Sequence, residues 1–236
     1  MRIDKFLANM GFGTRKEVKQ LVKSKAVTIN DETVKDSGKQ LDPNADVVRV
    51  YGDIVAYKPF LYLMLNKPAG VISATEDYKD NTVIDLLDED VKHYDLHPVG
   101  RLDKDTVGLL LLTNDGDLTH QLLSPKKKVP KKYYARIEGQ VTEEDVTAFS
   151  QGVTLEDGYE TKPGELTILE SGLASVIELV ITEGKFHQVK RMFEAVGKKV
   201  VYLKRLEMGS LTLDETLREG EYRELTDEEL DQLKPQ

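Results

Sequence analysis

The amino-acid sequence predicts an α+β protein in two parts, with a small N-terminal domain over residues 1–58 and a larger one over 59–236. The larger part is expected to carry a mixed, largely antiparallel sheet with flanking helices. Three observations predict this. Two short amphipathic helix patterns precede two short strand patterns within roughly the first 55 residues, about the smallest unit that folds alone. From about Tyr57 onward, strands and short helices alternate without βαβ regularity. Between the two, the stretch Val55–Leu61, with Pro59, reads as a linker.

The elements follow in order. Ile3, Phe6, Leu7 and Met10 share one helical face that Gly11 can terminate. Thr14-Arg-Lys-Glu17 is a capping box opening a second helix, with Val18, Leu21 and Val22 inward. Val27-Thr-Ile29 and Asp46–Tyr51 alternate as strands, with a turn at Asn30-Asp31. Tyr62–Asn66 and Val71–Thr75 are expected strands around the turn Lys67-Pro-Ala-Gly70, and Thr82 is expected to cap a short helix to Leu87. Leu109–Thr113 is a fully apolar buried strand, and a helix runs from Asp117 through Leu123. Tyr133–Gly139 alternates, Thr142 and Asp145 cap a helix to about Gln151, and Val176–Thr182 is a strand. A helix from Lys185 to Val196, with Gly184 supplying the sharp turn into it, precedes a strand from Val200 to Arg205. Thr226-Asp-Glu-Glu229 caps a last helix.

Composition sets the outer bounds. The chain is 39% hydrophobic and 32% charged, an ordinary soluble composition, and no apolar run approaches the roughly 18 residues of a membrane span. The amphipathic, mixed-charge start is not a signal peptide, so the cytoplasm is the expected location and no membrane partner is expected. Zero Cys excludes a disulfide scaffold, a thiolate metal site and a Cys nucleophile, and four His leave little for a His-rich metal site. The expected state is a monomer.

A net charge of −9 argues, taken whole, against a nucleic-acid partner. Its distribution argues the other way. Residues 1–30 hold seven Lys and Arg against two acids, residues 120–136 hold six against none, and residues 184–205 hold seven against the single Glu194. The acidic surplus lies elsewhere, chiefly in 138–183 and 207–236. Three basic islands on an acidic chain allow local contacts to an anionic partner that the net charge alone would argue against.

Chemistry-bearing stretches coincide with these islands or adjoin them. Within His97–Gly116, a loop bracketed by Gly100 and Gly108 delivers Arg101 and Asp103 beside the apolar strand. A carboxylate is costly to desolvate there unless a cation answers it. Glu183-Gly-Lys-Phe-His-Gln-Val-Lys190-Arg191 supplies such cations. Lys131-Lys132-Tyr133 places an aromatic ring among lysines, where a base can stack while the lysines hold phosphates. Asp105 and Asp115 read as loop-shaping residues, and His187 as a structural hydrogen-bonding residue.

The N-terminal segment resembles the S4 (αL-like) RNA-binding domain, on Arg2-Ile-Asp-Lys-Phe-Leu-Ala, Thr14-Arg-Lys-Glu17 and Val27-Thr-Ile-Asn30. The resemblance implies RNA contacts from Arg2, Lys5, Arg15, Lys16, Lys19 and Lys23. The remainder is similar to the RsuA-type pseudouridine synthases. The match is carried by Gly100-Arg-Leu-Asp-x-Asp-Thr-x-Gly-Leu-Leu-Leu-Leu-Thr-Asn-Asp-Gly116, Glu183-Gly-Lys-Phe-His-Gln-Val-Lys-Arg-Met-Phe193, Leu65-Asn-Lys-Pro-x-Gly70 and Gly220-Glu-Tyr-Arg-x-Leu-Thr226.

That resemblance implies a uridine-to-pseudouridine isomerase with no cofactor and no metal. Asp103 would be the catalytic nucleophile, and Lys190 the basic residue paired with it, with Arg191 as fallback. Tyr133 would stack on the target base near the proton leaving C5. Arg101 would fill the space vacated by a flipped nucleotide, and Leu203 would wall the uracil pocket. The implied partner is rRNA, naked or in a pre-ribosomal particle. Thr161-Lys-Pro163, the Ser73–Asp77 loop and an acidic tail that stops soon after Thr226 look most like the enzymes of small-subunit (16S) rRNA. The alternatives are a 23S target and, from another class, a non-catalytic S4-containing ribosome-assembly factor. A two-carboxylate hydrolase on Asp103 and Asp105 is the weaker rival, because residues two apart in a loop have no fixed facing geometry.

Overall fold

The computed structural model describes residues 1–233. By packing, the chain divides into two units, Met1–Leu61 with Leu87–Leu96, and Tyr62–Leu86 with His97 onward.

In the first unit, α1 (Ile3–Asn9) and α2 (Arg15–Lys23) pack on a small sheet. Its strands are β1 (Val27–Ile29), β2 (Glu32–Thr33), β3 (Val48–Val50) and β4 (Asp53–Ile54), in the order β2-β1-β3-β4. The Thr14 capping box forms as its residues predict. The Glu17 amide donates to Thr14 Oγ1 at 3.3 Å, and the Thr14 amide donates to Glu17 Oε2 at 2.6 Å. Ile3, Phe6, Leu7, Val18 and Val22 are buried against Val27, Ile29, Val48 and Val50. This apolar face leaves Lys5, Arg15, Lys16, Lys19 and Lys23 exposed, whereas Arg2 is tied to the buried Asp4 carboxylate at 2.7 Å. The short helix α3 (Glu89–Lys92) lies in the second stretch of this unit.

The second unit is built on β5 (Tyr62–Lys67), β6 (His97–Pro98), β7 (Val107–Thr113), β8 (Lys131–Glu138), β9 (Glu165–Glu170), β10 (Ala174–Ile181), β11 (Lys199–Met208), β12 (Leu211–Thr212) and β13 (Tyr222–Glu224). The nine strands form one sheet in the order β13-β5-β7-β11-β8-β10-β9, with β6 added to β7 and β12 to β11. Around it lie α4 (Gly116–Leu123), α5 (Glu143–Gln151), α6 (Gln188–Ala195) and α7 (Asp227–Leu233).

Every described pairing is antiparallel except β7 with β11, where Val107 faces Lys204 and Gly108 faces Arg205. Gly108 permits that approach. Its φ is +102°, and a Cβ there would stand 2.3 Å from the Arg205 carbonyl oxygen. The central strands β5 and β7 are buried along their whole length, which is why Leu109–Leu112 reads as an unbroken apolar run. One face packs Tyr62, Met64, Leu109 and Leu111 against Leu118 and Leu122 of α4. Elsewhere, Phe149 of α5 and Phe193 of α6 meet ring to ring at 4.9 Å.

Three local expectations fail. Val71–Thr75 is not a strand: Ile72 makes only an isolated bridge to Thr82. Thr82 does not open a helix either: the Asp85 carboxylate takes the Thr82 amide at 2.7 Å as in a capping box, but the residues to Leu87 form only bends and a turn. The helix expected from Lys185 begins at Gln188. The left-handed residue at its start is His187, with φ +49°, not Gly184.

Candidate active site

The loop from Val99 to Thr106 connects β6 to β7 and is held from beneath. Ser73 Oγ both accepts from the Leu102 amide and donates to the Leu102 carbonyl, each at 3.0 Å. The Lys67 side chain, 0% exposed at the end of β5, donates from Nζ to the carbonyls of Thr106 at 2.9 Å, Pro68 at 3.0 Å, Asp103 at 3.1 Å and Lys104 at 3.4 Å. The loop thus has its backbone oxygens gathered around one buried ammonium, and Asp103 is carried on a fixed support. Burial pushes the Lys67 ammonium down to about 8, against the opposing pull of Asp105, Asp103 and Glu219.

From the other side comes the segment between β10 and α6. Gln188, buried, donates to Glu183 Oε1 at 2.6 Å and accepts from the Lys185 amide at 2.8 Å, closing this segment into a tight connection. The left-handed turn at His187 brings its Nε2 to 3.6 Å from Asp103 Oδ1, with the Phe186 ring stacked on the imidazole at 3.7 Å. One helical step on, Lys190 Nζ lies 3.2 Å from Asp103 Oδ2 and 2.6 Å from Asp105 Oδ1. Burial opposes the Lys190 charge, yet its hydrogen bonds to Asp105 and Asp103 outweigh that and hold its pKa above the ordinary lysine value. Burial likewise raises Asp105, but the Lys190 contact dominates and lowers it.

A cleft of about 70 Å³ opens at this junction, lined among others by Arg101, Asp103, Thr106, Tyr133, His187 and Leu203. Tyr133 and Leu203 reach it because β8 and β11 are neighbours in the sheet, and the parallel pairing sets β11 beside the start of β7. Tyr133 is only 8% exposed, so its ring is a wall of the cleft. Chemically, a carboxylate held between a lysine and a histidine faces an aromatic and an aliphatic wall. That arrangement suits a planar ring presented to a carboxylate oxygen.

Comparisons with known proteins fall on this site. Residues 61–195 match the family model described as RNA pseudouridylate synthase, and residues 1–47 match the S4 domain. The chain belongs to the RNA pseudouridylate synthase family. An uncharacterised RNA pseudouridine synthase of Bacillus subtilis is 55% identical over 98% of this chain and 97% of its own length. Ribosomal small subunit pseudouridine synthase A of Vibrio cholerae is 43% identical over 98% of each. A crystal structure of a pseudouridylate synthase superposes with a TM-score of 0.69 at 39% identity, covering 99% of both chains.

The structure of this synthase brings Arg101, Asp103, Tyr133, Lys190 and Leu203 together and leaves other expected residues apart. Arg191 turns to Asp157 and to the Phe186 carbonyl. Strand alternation puts Lys131 on the Tyr133 face of β8 but Lys132 on the opposite face, 2.8 Å from Glu178 and 3.9 Å from Glu207. Among the described residues no group of three or more His, Asp or Glu could hold a metal ion, and no helix is long and apolar enough to cross a membrane.

Sequence reasoning missed Lys67 as the support of the loop, and set Asp105 and His187 aside. A signal for Lys67 existed: a lysine ends a strand that is otherwise buried throughout, and a buried lysine needs partners. For Asp105 and His187 no local signal separates them from turn residues. Asp115, by contrast, shapes its loop as expected, capping α4 through the Leu118 amide at 3.0 Å and accepting from the Tyr62 hydroxyl at 2.8 Å.

Proposed function

We propose that this synthase converts a specific uridine of small-subunit (16S) rRNA to pseudouridine in the cytoplasm, with Asp103 as nucleophile on a flipped-out nucleotide. The observation that carries the reading is the Asp103 carboxylate, 24% exposed at the cleft and 3.2 Å from the Lys190 ammonium. Lys190 lies against the carboxylate oxygen that would act as the nucleophile. Tyr133 and Leu203 sandwich the uracil, and Arg101, exposed at the rim, fills the gap left in the RNA. In the reaction the N1–C1′ glycosidic bond breaks, the uracil turns, a C5–C1′ bond forms, the C5 proton leaves and N1 gains a proton, so the product is an isomer of the uridine. Every heavy atom of the uridine is retained, so no co-substrate enters the balance.

The 16S target is supported by the names of the small-subunit relatives, which match over nearly the whole chain. The exposed lysines and arginine of α1 and α2 supply sequence-independent phosphate contacts for the S4 domain. The test is tritium release from C5-labelled uridine in unmodified 16S and 23S rRNA. Release from 16S by the wild type and not by Asp103→Ala is expected. Equal release by both proteins removes Asp103 from the mechanism, and release from 23S alone moves the target. Tyr133→Phe is expected to retain stacking and to slow turnover, and unchanged turnover would remove the hydroxyl from the proton step.

A further inference from the structure

Beside the cleft lies a second, larger cavity of about 330 Å³, and the two share Gly184 and Lys185 on their rims. Its size is in the lower part of the range for ligand pockets, about 300–1,000 Å³. Three lysines from three separate segments reach it: Lys131 at the start of β8, Lys162 in the loop after α5, and Lys185 after β10. None of the three is paired with a carboxylate among the described residues. Lys131 Nζ donates to the Val129 carbonyl at 3.0 Å, and Lys185 Nζ lies over the Tyr159 ring at 4.8 Å.

The one acid of the cavity wall is already used. Glu183 Oε2 accepts from the Tyr159 hydroxyl at 2.7 Å, and Oε1 accepts from the Lys162 amide at 2.9 Å and from Gln188. Glu183 is therefore an internal fastener between the 154–163 loop and the active-site segment, not a counter-ion for the lysines. Arg205 of β11 is 2% exposed, donates from Nε to the Leu109 carbonyl and leaves Nη2 without a partner. Arg205 does not line the cavity, but its charge adds to the positive field at the half-buried Lys131. Burial, with added repulsion from Arg205, pushes the Lys131 ammonium down to about 8, and a bound anion would relieve that cost.

We propose that this cavity is a phosphate subsite: Lys131, Lys162 and Lys185 hold the RNA phosphodiester flanking the target uridine while that uridine occupies the cleft. The inference rests on the reading of the cleft as the place of a flipped uridine. Flipping swings a nucleotide out of its strand, so the phosphodiester beside it must be held close to the cleft mouth, and Gly184 with Lys185 is where the two spaces meet. The loop is pinned in advance by Glu183 and by the Arg191–Asp157 pair, so little ordering remains to be done on binding. Lys162 and Lys185 are thereby assigned as substrate-binding residues in addition to those expected from the sequence.

The test compares the full chain, its Lys162→Gln/Lys185→Gln variant and a Lys162→Arg/Lys185→Arg variant on one unmodified 16S rRNA transcript. Dissociation constants are measured across a salt series, and C5 tritium release is followed in parallel. The glutamine pair is expected to weaken binding about tenfold and to flatten the salt slope by up to about one, since both lysines answer a single phosphodiester. It should raise KM more than it lowers kcat, and the arginine pair should restore both. A glutamine pair with wild-type affinity and slope overturns the subsite, as does an arginine pair no better than the glutamine pair. Absence of tritium release by the wild type would instead overturn the isomerase reading, leaving the salt slopes to report on the cavity separately.

Discussion

Lys67 Nζ stands 3.1 Å from the backbone carbonyl of Asp103, so the residue that orders the proposed nucleophile is a fully buried lysine 36 positions earlier in the chain. The contact is to the backbone, which leaves the Asp103 carboxylate free to face the cleft. Lys67 is a positioning residue. Its ammonium reaches the carbonyls of Pro68 and Thr106, and also those of Asp103 and Lys104, which accept from the Thr106 and Gly70 amides as well.

Replacing Lys67 by Met keeps the bulk and removes the donors. The expected result is a fall in kcat with little change in RNA affinity, because the loop loses its order while the basic surface stays intact. Steady-state tritium release against direct RNA binding checks this, and parallel losses in both would contradict it.

The same lysine predicts a pH signature. Its pKa in the folded chain is about 8, below the ordinary 10.5. Between those values the unfolded chain holds the proton and the folded chain does not, so stability rises with pH across that window. The gain is complete above 10.5 and is lost as pH falls to about 8. Urea unfolding at pH 7.5 and 10 should show the wild type gaining on Lys67→Met at the higher pH, and a constant difference would count against it.

Lys190 is shared between Asp103 and Asp105, with the shorter contact to Asp105. Lys190→Met is expected to lower kcat by about 10- to 100-fold, the worth of a charge-assisted hydrogen bond. Asp105→Asn should be milder and should move the alkaline limb of the kcat/KM profile to lower pH, since one of the groups raising the Lys190 pKa is gone. An unmoved limb would remove Lys190 from the titration.

Gly108→Ala tests the parallel seam. The new methyl would meet the Arg205 carbonyl at 2.3 Å from a backbone with φ +102°, so a loss of at least about 2 kcal/mol is expected in denaturant unfolding. In the N-terminal unit, Thr14→Ala removes the Oγ1 cap of α2 and should cost about 1 kcal/mol, read from faster hydrogen exchange of the first α2 amides.

Local chemistry made much of the molecule legible in the sequence. The capping boxes at Thr14 and Thr142 needed only residues three apart, and both formed. The apolar run of β7 and the alternation of β8 likewise needed only their own residues. Val71–Thr75 and Val83–Leu87 did not follow their local pattern: the Thr82–Asp85 contact formed with no helix behind it, and the first segment found only the bridge from Ile72 to Thr82.

The sequence by itself determined that a carboxylate, a basic helix and an aromatic strand exist, through Asp103, Lys190 and Tyr133 in long, specific motifs. Only the tertiary structure decided which side chains meet. Strand alternation sent Lys131 toward the cavity and Lys132 toward Glu178, and the left-handed turn at His187 set the ring against Asp103. Arg191, one residue beyond Lys190, was carried around the helix to Asp157. The physical reason is that a residue's identity sets what it can bond, whereas its partner is set by the register of β8 on β11 and by the buried ammonium of Lys67. Both join parts of the chain far apart in sequence, and no local pattern encodes them.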